Sequence, residues 1–531
     1  MKVNGFLLTS LLGCSIATAS SNRPLIHLTP EKGWMNDPNG LFYDRADDVW
    51  HAYYQFNPNS TVWAEPISWG HSISKDLSTW EEKGIAIASN DTNSGIYTGS
   101  VVIDRNNTSG FFNSSIANEK RIVAIYTYNT PTSETQEVAY SLDGGLTFKK
   151  YSGNPVININ STQFRDPKVF WYQPSQTWVM AVAQSQKYSV HFYNSKDLKK
   201  WTLVSEFKQH GILGYQYETP NLVQVPIVDS TNSTKTSKWV LFVSVNPGAL
   251  IGGSFVQYFV GDFDGKQFTP VSNATQILDY GKDYYAFQIV DNTPSDEVIG
   301  MAWASNWQYC ANVPTSPWRS SFSLARNFTL QYANTNPESE VLQLISTPIY
   351  NGLAKNGTSY HLQNQSLETN SSLTFDLSGA SNFTTGLFDF ELTFSSNSSA
   401  FGNADFAALD IYLKGVNTTE YLRLGFEGNA KAVYLDRSHT NVNFVERNPL
   451  FSGQVSVDIV PAETLSETVS VYKIQGIVDR NILELYINDG QFVSTNTFFF
   501  SDGNYINTID ISTEVNKTFK LIDFQAAQYS T

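Results

Sequence analysis

Apolar residues along this chain recur at every second position or in short solid runs, and no long stretch repeats at the helical period. "VWHAYYQF" (49–56) and "RIVAIYTY" (121–128) are rich in aromatic and β-branched residues, which suit a half-buried pleated surface. "KVFWYQPSQTWVMAVAQS" (168–185) holds two apolar runs around a Pro-Ser-Gln turn, which predicts a hairpin. Beyond about residue 345 the texture changes. Trp disappears, Asn/Ser turns multiply and alternation becomes strict: Phe388, Phe390, Leu392 and Phe394 are interleaved with Asp389, Glu391 and Thr393. "VSVDIV" and "NILELYIND" continue the pattern. It predicts an antiparallel sandwich with one face of each sheet buried.

The first part of the chain carries a repeat. "SKDLSTW" (74–80) returns as "SKDLKKW" (195–201), more loosely as "SLDGGLTF" (141–148) and "GDFDGKQF" (261–268). Each joins an Asp-containing turn to an aromatic residue. A strand-rich unit recurring at such a period is the mark of a propeller blade, and some three hundred residues at about sixty per unit make five blades. The expected fold is therefore all-β: a five-bladed β-propeller over 20–340, a linker over 341–360, and a β-sandwich over 361–531.

Residues 1–19 read as a signal peptide. Lys2 precedes the apolar "GFLLTSLLGCSIA", and Ala17-Thr18-Ala19 is a small-residue cleavage site. A lipoprotein signal acylated at Cys14 of "LLGC" is the competing interpretation. Without Cys14 one thiol remains, Cys310, and no internal disulfide is possible, so a large core must hold the fold. Cys310 is expected to be a small packing residue. A net charge of −15 repels nucleic acid and anionic lipid, so neither is an expected partner. Asn-x-Ser/Thr acceptors are dense, among them Asn59, Asn90, Asn107, Asn113, Asn160, Asn232, Asn273, Asn356, Asn382, Asn417 and Asn516. With the leader they predict a secreted, N-glycosylated protein.

Three acids stand in similar surroundings. "NDPNGLFY" puts Asp37 before a Pro and an apolar run, "FRDPKVFW" does so with Asp166, and "YETPNLVQV" with Glu218, one residue further from its Pro. One Asp-Pro alone is an ordinary turn signal. Three, each beside aromatics, are expected at the starts of strands that meet around a propeller channel, where Pro is tolerated. Clustered carboxylates repel, so one can hold a proton to donate while another stays ionised and attacks carbon, as in retaining glycoside hydrolysis. EF-hand, H-E-x-x-H, G-x-S-x-G and phosphate-loop patterns are absent from the sequence, so neither a metal nor an organic cofactor is expected.

"WMNDPNG", "FRDPKVFW", "YETP", "GKDYYAFQ" and "WASNW" together closely resemble glycoside hydrolase family 32, which includes the yeast invertases and inulinases. "YLRLGFE", "NILELYINDG" and "VSTNTFFF" extend the resemblance into the second domain. It implies a propeller followed by a sandwich, in agreement with the repeat count. It also implies a secreted retaining β-fructofuranosidase acting on terminal fructose of sucrose or inulin-type fructans. Asp37 would be the nucleophile, Glu218 the acid/base and Asp166 the transition-state stabiliser, with Arg165 against the acids. Trp34, Asn36, Gln55, Trp63 and Asp283 would hold the fructose ring or shape its pocket, and Trp303 and Trp307 would form an apolar wall.

The chain departs from the family pattern in two places. Glu218-Thr219-Pro220-Asn221 stands where the family usually has Glu-Cys-Pro-Gly, and Tyr97-Thr98-Gly99-Ser100 where it has Phe-Ser-Gly-Ser. The Thr219 hydroxyl is expected to reach the Glu218 carboxylate, and Tyr97, Thr98 and Ser100 to border the substrate. These changes raise two alternatives, a fructosyltransferase and a non-catalytic fructan-binding protein. The family's yeast members further imply a homo-oligomer built through the sandwich.

Overall fold

The computed structural model describes residues 22–89, 91–228, 236–294, 297–336, 338–369, 371–378, 384–402, 406–451 and 453–530. The expected signal peptide and Cys14 lie outside them, as do the acceptors Asn90, Asn232 and Asn382; the side chain of Asn356 is likewise not described. Strands dominate. Among the described residues the one α-helix is Val442–Arg447, and no helix is long and apolar enough to cross a membrane.

Among the described residues the first part of the chain forms five antiparallel blades. Their innermost strands are Gly33–Asp44, Gly95–Ile103, Phe164–Tyr172, Tyr217–Ile227 and Tyr285–Ile289. The fourth and fifth blades merge through a parallel contact of Ile227 with Leu330. The ring closes where Gly33 and Trp34 pair with Trp318 and Arg319. Apolar clusters fill the spaces between neighbouring blades, as where Val179, Phe192 and Phe207 of the third meet Leu222, Leu241 and Phe259 of the fourth.

All four copies of the sequence repeat fall on one hairpin, between the third and fourth strands of the first four blades. The chemistry of the turn explains its recurrence. The Asp76 carboxylate accepts from the backbone N–H groups of Ser78 and Thr79, and Asp197 does the same for Lys199 and Lys200. Asp143 caps Thr147, and Asp264 caps Lys266 and Gln267. Such side-chain-to-backbone turns are what Asp favours. The fifth blade has no such copy.

The second part is a sandwich of two antiparallel sheets. One includes Leu387–Asn397, Val469–Asp479 and Phe519–Ser530; the other includes Ala408–Gly415, Tyr421–Glu427 and Ile506–Thr513. Phe388, Phe390, Leu392 and Phe394 are buried against Leu409, Ile411, Leu424 and Phe426, and the interleaved Glu391 is exposed. The expected linker over 341–360 is mostly strand. Ser339–Ile349 is the outer strand of the fifth blade and Ala354–Ser366 already belongs to the sandwich, so the connection is 350–353.

The two parts meet through buried charge. His27 lies between Asp479 (2.8 Å) and Glu484 (3.3 Å), and Arg326 bridges Asp279 and Glu484 at 2.9 Å each. His27, Arg326 and Asp279 come from the propeller part, and Asp479 and Glu484 from the sandwich.

Candidate active site

The five innermost strands share one irregularity. Met35–Pro38, Ile96–Gly99, Arg165–Lys168, Glu218–Asn221 and Tyr285–Gln288 each advance three residues while the neighbouring strand advances two. Each strand thus carries one extra residue, a β-bulge, near its start, and Gly33–Asp44 has a second between Asn39 and Phe42. A bulge breaks the ladder and re-aims side chains, and it frees Pro from its missing hydrogen bond. Pro167 and Pro220 lie in these bulges, and Pro38 closes its own. Glu218 and Asp166, the second and third residues of their strands, sit at strand starts as expected, and Asp37 lies five residues into its own, each at a bulge. Asp166, Thr219 and Ala286 take φ of 67°, 42° and 54°. Such values cost L-residues energy, most of all a β-branched Thr.

The bulges open onto a cavity of about 400 Å³ lined by Asn36, Asp37, Gln55, Trp63, Tyr97, Thr98, Arg165, Asp166, Glu218 and Trp307. Four expected site residues lie behind its wall. Trp34 is buried and its indole N–H donates to Asn36 Oδ1 (2.7 Å). Trp303 is buried beneath Trp307, their rings 5.0 Å apart. The Ser100 hydroxyl donates to the Pro167 carbonyl (2.9 Å), because the strand turns that side chain away from the channel. Asp283 is buried in an ion pair with Arg437 of the sandwich (2.8 Å). Glu134, Gln163, Gln216, Asn246 and Tyr285 also line the cavity and were not anticipated. Tyr285 lies within "GKDYYAFQ" and Gln216 two residues before Glu218, so both were within reach of motif reasoning; nothing local marks Glu134.

Asp37 accepts from Asn36 Nδ2 (2.9 Å) and Thr98 Oγ1 (2.8 Å). Glu218 accepts from Arg165 Nε (3.1 Å) and Gln216 Nε2 (3.0 Å) on one oxygen and from the Tyr285 hydroxyl on the other. Asp166 accepts from the Thr219 backbone N–H (2.9 Å). Arg165 also pairs with Glu134 (3.0 Å).

Burial, and then the Glu218 charge, raise the Asp37 carboxyl to about 6, against the hydrogen bonds from Asn36 and Thr98. Burial and the Glu218 charge push Asp166 well above the usual carboxylate range, and Arg165 opposes them. Burial works against the Arg165 charge, but the surrounding carboxylates outweigh it and hold the guanidinium ionised. The site thus gathers mutually repelling buried acids around one fixed cation, a setting suited to carboxylate chemistry on a sugar. Among the described residues no group of three His, Cys, Asp or Glu side chains has the geometry to hold a metal ion.

One further expectation needs correction. The Thr219 hydroxyl donates to Ser244 Oγ rather than to Glu218, because positive φ turns it under the strand. Asn221 is fully buried; its amide bridges Phe287 O (2.9 Å) and Ile289 N (3.1 Å), joining the fourth blade to the fifth. Neither residue lines the cavity. The Tyr97 hydroxyl donates to Glu65 (2.9 Å), which also takes Asn129 Nδ2 (3.1 Å). Cys310 is buried beside Trp34 and Trp303, and burial pushes its thiol up to about 12.

The profile of the glycosyl hydrolases family 32 N-terminal domain matches residues 27–345, and that of the family 32 C-terminal domain matches 353–528. Invertase 2 of Saccharomyces cerevisiae is 48% identical over 522 residues, covering 97% of each chain. An extracellular exo-inulinase of Meyerozyma guilliermondii is 44% identical over 505 residues, covering 93% of each. The structure of a fructofuranosidase from Schwanniomyces occidentalis complexed with fructose superposes with a TM-score of 0.91 at 45% identity, covering 97% of this chain and 100% of that one. On the strength of both domain matches, made over nearly its whole described length, the chain belongs to glycosyl hydrolase family 32.

Proposed function

We propose that this glycoside hydrolase is a retaining β-fructofuranosidase that releases terminal fructose from sucrose and inulin-type fructans. The observation that carries this is the convergence of Asp37, Asp166 and Glu218, from three different blades, on one sugar-sized cavity. The relatives' names, invertase and extracellular exo-inulinase, supply the substrate class.

The chemistry follows from the contacts. Asp37, ionised and oriented by Asn36 and Thr98, attacks the anomeric carbon of the fructosyl unit. Glu218 delivers a proton to the departing oxygen. Asp166 accepts hydrogen bonds from fructose hydroxyls as positive charge builds on the ring. Ester formation removes the Asp37 charge; Glu218 then takes a proton from a water that attacks the anomeric carbon, and the bond from that carbon to the Asp37 oxygen breaks to free fructose and the carboxylate. Trp63, Gln55 and Trp307 supply the ring-holding walls, with Trp34 and Trp303 as backing.

The test is fructose release from sucrose and inulin. Asp37→Ala should abolish turnover, and Glu218→Ala should lower kcat by about 10²–10⁴-fold, the usual contribution of a positioned acid. Either variant retaining full kcat, or an unaltered chain releasing no fructose, refutes the proposal. Products at high sucrose discriminate hydrolysis from fructosyl transfer.

The same reading includes export and N-glycosylation. Asn59, Asn113, Asn160, Asn273, Asn417 and Asn516 are exposed, which suits them as acceptors. Asn107 is a poor acceptor, because its amide is bonded to Phe112 through both O and N. It also includes a homo-oligomer formed through the sandwich, for which sedimentation after deglycosylation is decisive.

A further inference from the structure

The propeller and the sandwich share a stretch of backbone ladder directly beneath the site. Tyr280 N donates to Val493 O (2.7 Å) and Asp283 N to Thr495 O (3.0 Å). In return Thr495 N donates to Asp279 Oδ1 (2.8 Å) and Thr497 N to Asp283 Oδ2 (2.8 Å). The backbones approach so closely that a Cβ on Gly281 would lie 2.1 Å from Thr495 O. This contact ends at Asp283, two residues before Tyr285.

Asp283 closes the contact. Its carboxylate takes Arg437 Nη1 (2.8 Å), Thr497 Oγ1 (3.0 Å) and the Tyr309 hydroxyl, and neither Asp283 nor Arg437 has any side-chain exposure. Arg437 Nη2 also reaches the Tyr309 hydroxyl (3.2 Å), and its guanidinium lies 3.9 Å from the centre of the Phe451 ring. Tyr309 belongs to the loop that carries Trp307, and Asn306 of that loop donates to Lys282 O (2.7 Å). One sandwich guanidinium therefore holds two wall elements: the start of the strand whose Tyr285 hydroxyl donates to Glu218, and the loop bearing Trp307.

The geometry points to Arg437 as a positioning residue for the reaction, which acts through Asp283 and Tyr285 to hold Glu218 in place. The sandwich is then a working part of the acid/base. This rests on the assignment of Glu218 as that group. A displacement of about 1 Å at a reacting group can cost about 10²-fold in rate. Arg437 touches neither the cavity nor Asp37, and the Trp307 loop keeps its own Asn306 bond to Lys282 O without it, so its loss should fall on kcat while KM changes little.

The test is a double-mutant cycle on sucrose with Arg437→Gln and Tyr285→Phe. Each single variant should lower kcat about 10- to 100-fold, with KM within about threefold. In the Tyr285→Phe background Arg437→Gln should cost less than about threefold more, because the two act through one contact. Additive losses, or a folded Arg437→Gln with unchanged kcat, overturn the coupling. Asp283→Asn keeps the shape, removes the charge and leaves one acceptor oxygen, so it decides the matter should Arg437→Gln not be recovered folded: the coupling predicts lowered kcat there as well, and unchanged kcat refutes it. Fructose release by the unaltered chain is the control for the functional assignment itself. Without it that assignment fails; with it, a non-coupled cycle defeats the Arg437 proposal alone.

Discussion

Thr98→Val tests how the site keeps its nucleophile ionised. The substitution preserves shape and deletes the hydroxyl that donates to Asp37 Oδ2 at 2.8 Å. Asp37 stands at about 6 because burial and the Glu218 charge outweigh its hydrogen bonds. A hydrogen bond to a charged group contributes about 1.5–3 kcal/mol, and about 1.4 kcal/mol is one pH unit, so the carboxyl should rise by about 1–2 units. Attack requires the ionised form, so the acidic limb of kcat/KM moves upward. With a rise of about one unit, the ionised fraction near pH 5 falls from about 9% to about 1%, a loss of roughly tenfold that largely vanishes near pH 8. The assay is kcat/KM for sucrose, from glucose release, between about pH 4 and pH 9. A loss equal at all pH values, or an acidic limb within about 0.3 unit of the parent's, would refute this account of Asp37.

Two further outcomes are expected. Burial disfavours charge on His27, but the hydrogen bonds and charges of Asp479 and Glu484 outweigh it and raise the imidazole to about 9. Its stabilising effect is therefore complete below about pH 6.5 and lost as pH rises through about 9, an effect of about 3 kcal/mol. Urea unfolding near pH 7 and pH 10 should show that loss in the parent and not in His27→Gln; equal pH dependence in both contradicts it. Tyr97→Phe removes one of the hydrogen bonds that hold Glu65, two residues from Trp63 at the cavity mouth, and leaves that of Asn129. At about 1 kcal/mol for the lost bond, KM for sucrose should rise about three- to tenfold with kcat nearly constant, and an unchanged KM removes this role.

The strands, the propeller repeat and the three acids were legible because each is a local pattern. An Asp-turn needs only residues two or three apart, and alternation needs only a strand with one wet face. Asp37, Asp166 and Glu218 stood out because a Pro follows each closely, and the bulges explain why Pro fits there. Glu134 carries no such neighbour. Asp283 and Ser100 sat within motifs that the site uses, yet their side chains turn away from the cavity.

The sequence alone determined an all-β chain, its two textures, the placing of its turns and which carboxylates could react, because propensity, turn chemistry and periodicity act between near neighbours. Only the tertiary structure decided where those groups point and what they meet. A bulge is a mismatch between two strands, so no single strand records it; the five extra residues that aim the site exist only in the paired sheet. Asp283 is a structural anion because Arg437, 154 residues away, is its buried partner. Burial and charge pairing depend on distance in space, and chain separation says almost nothing about that.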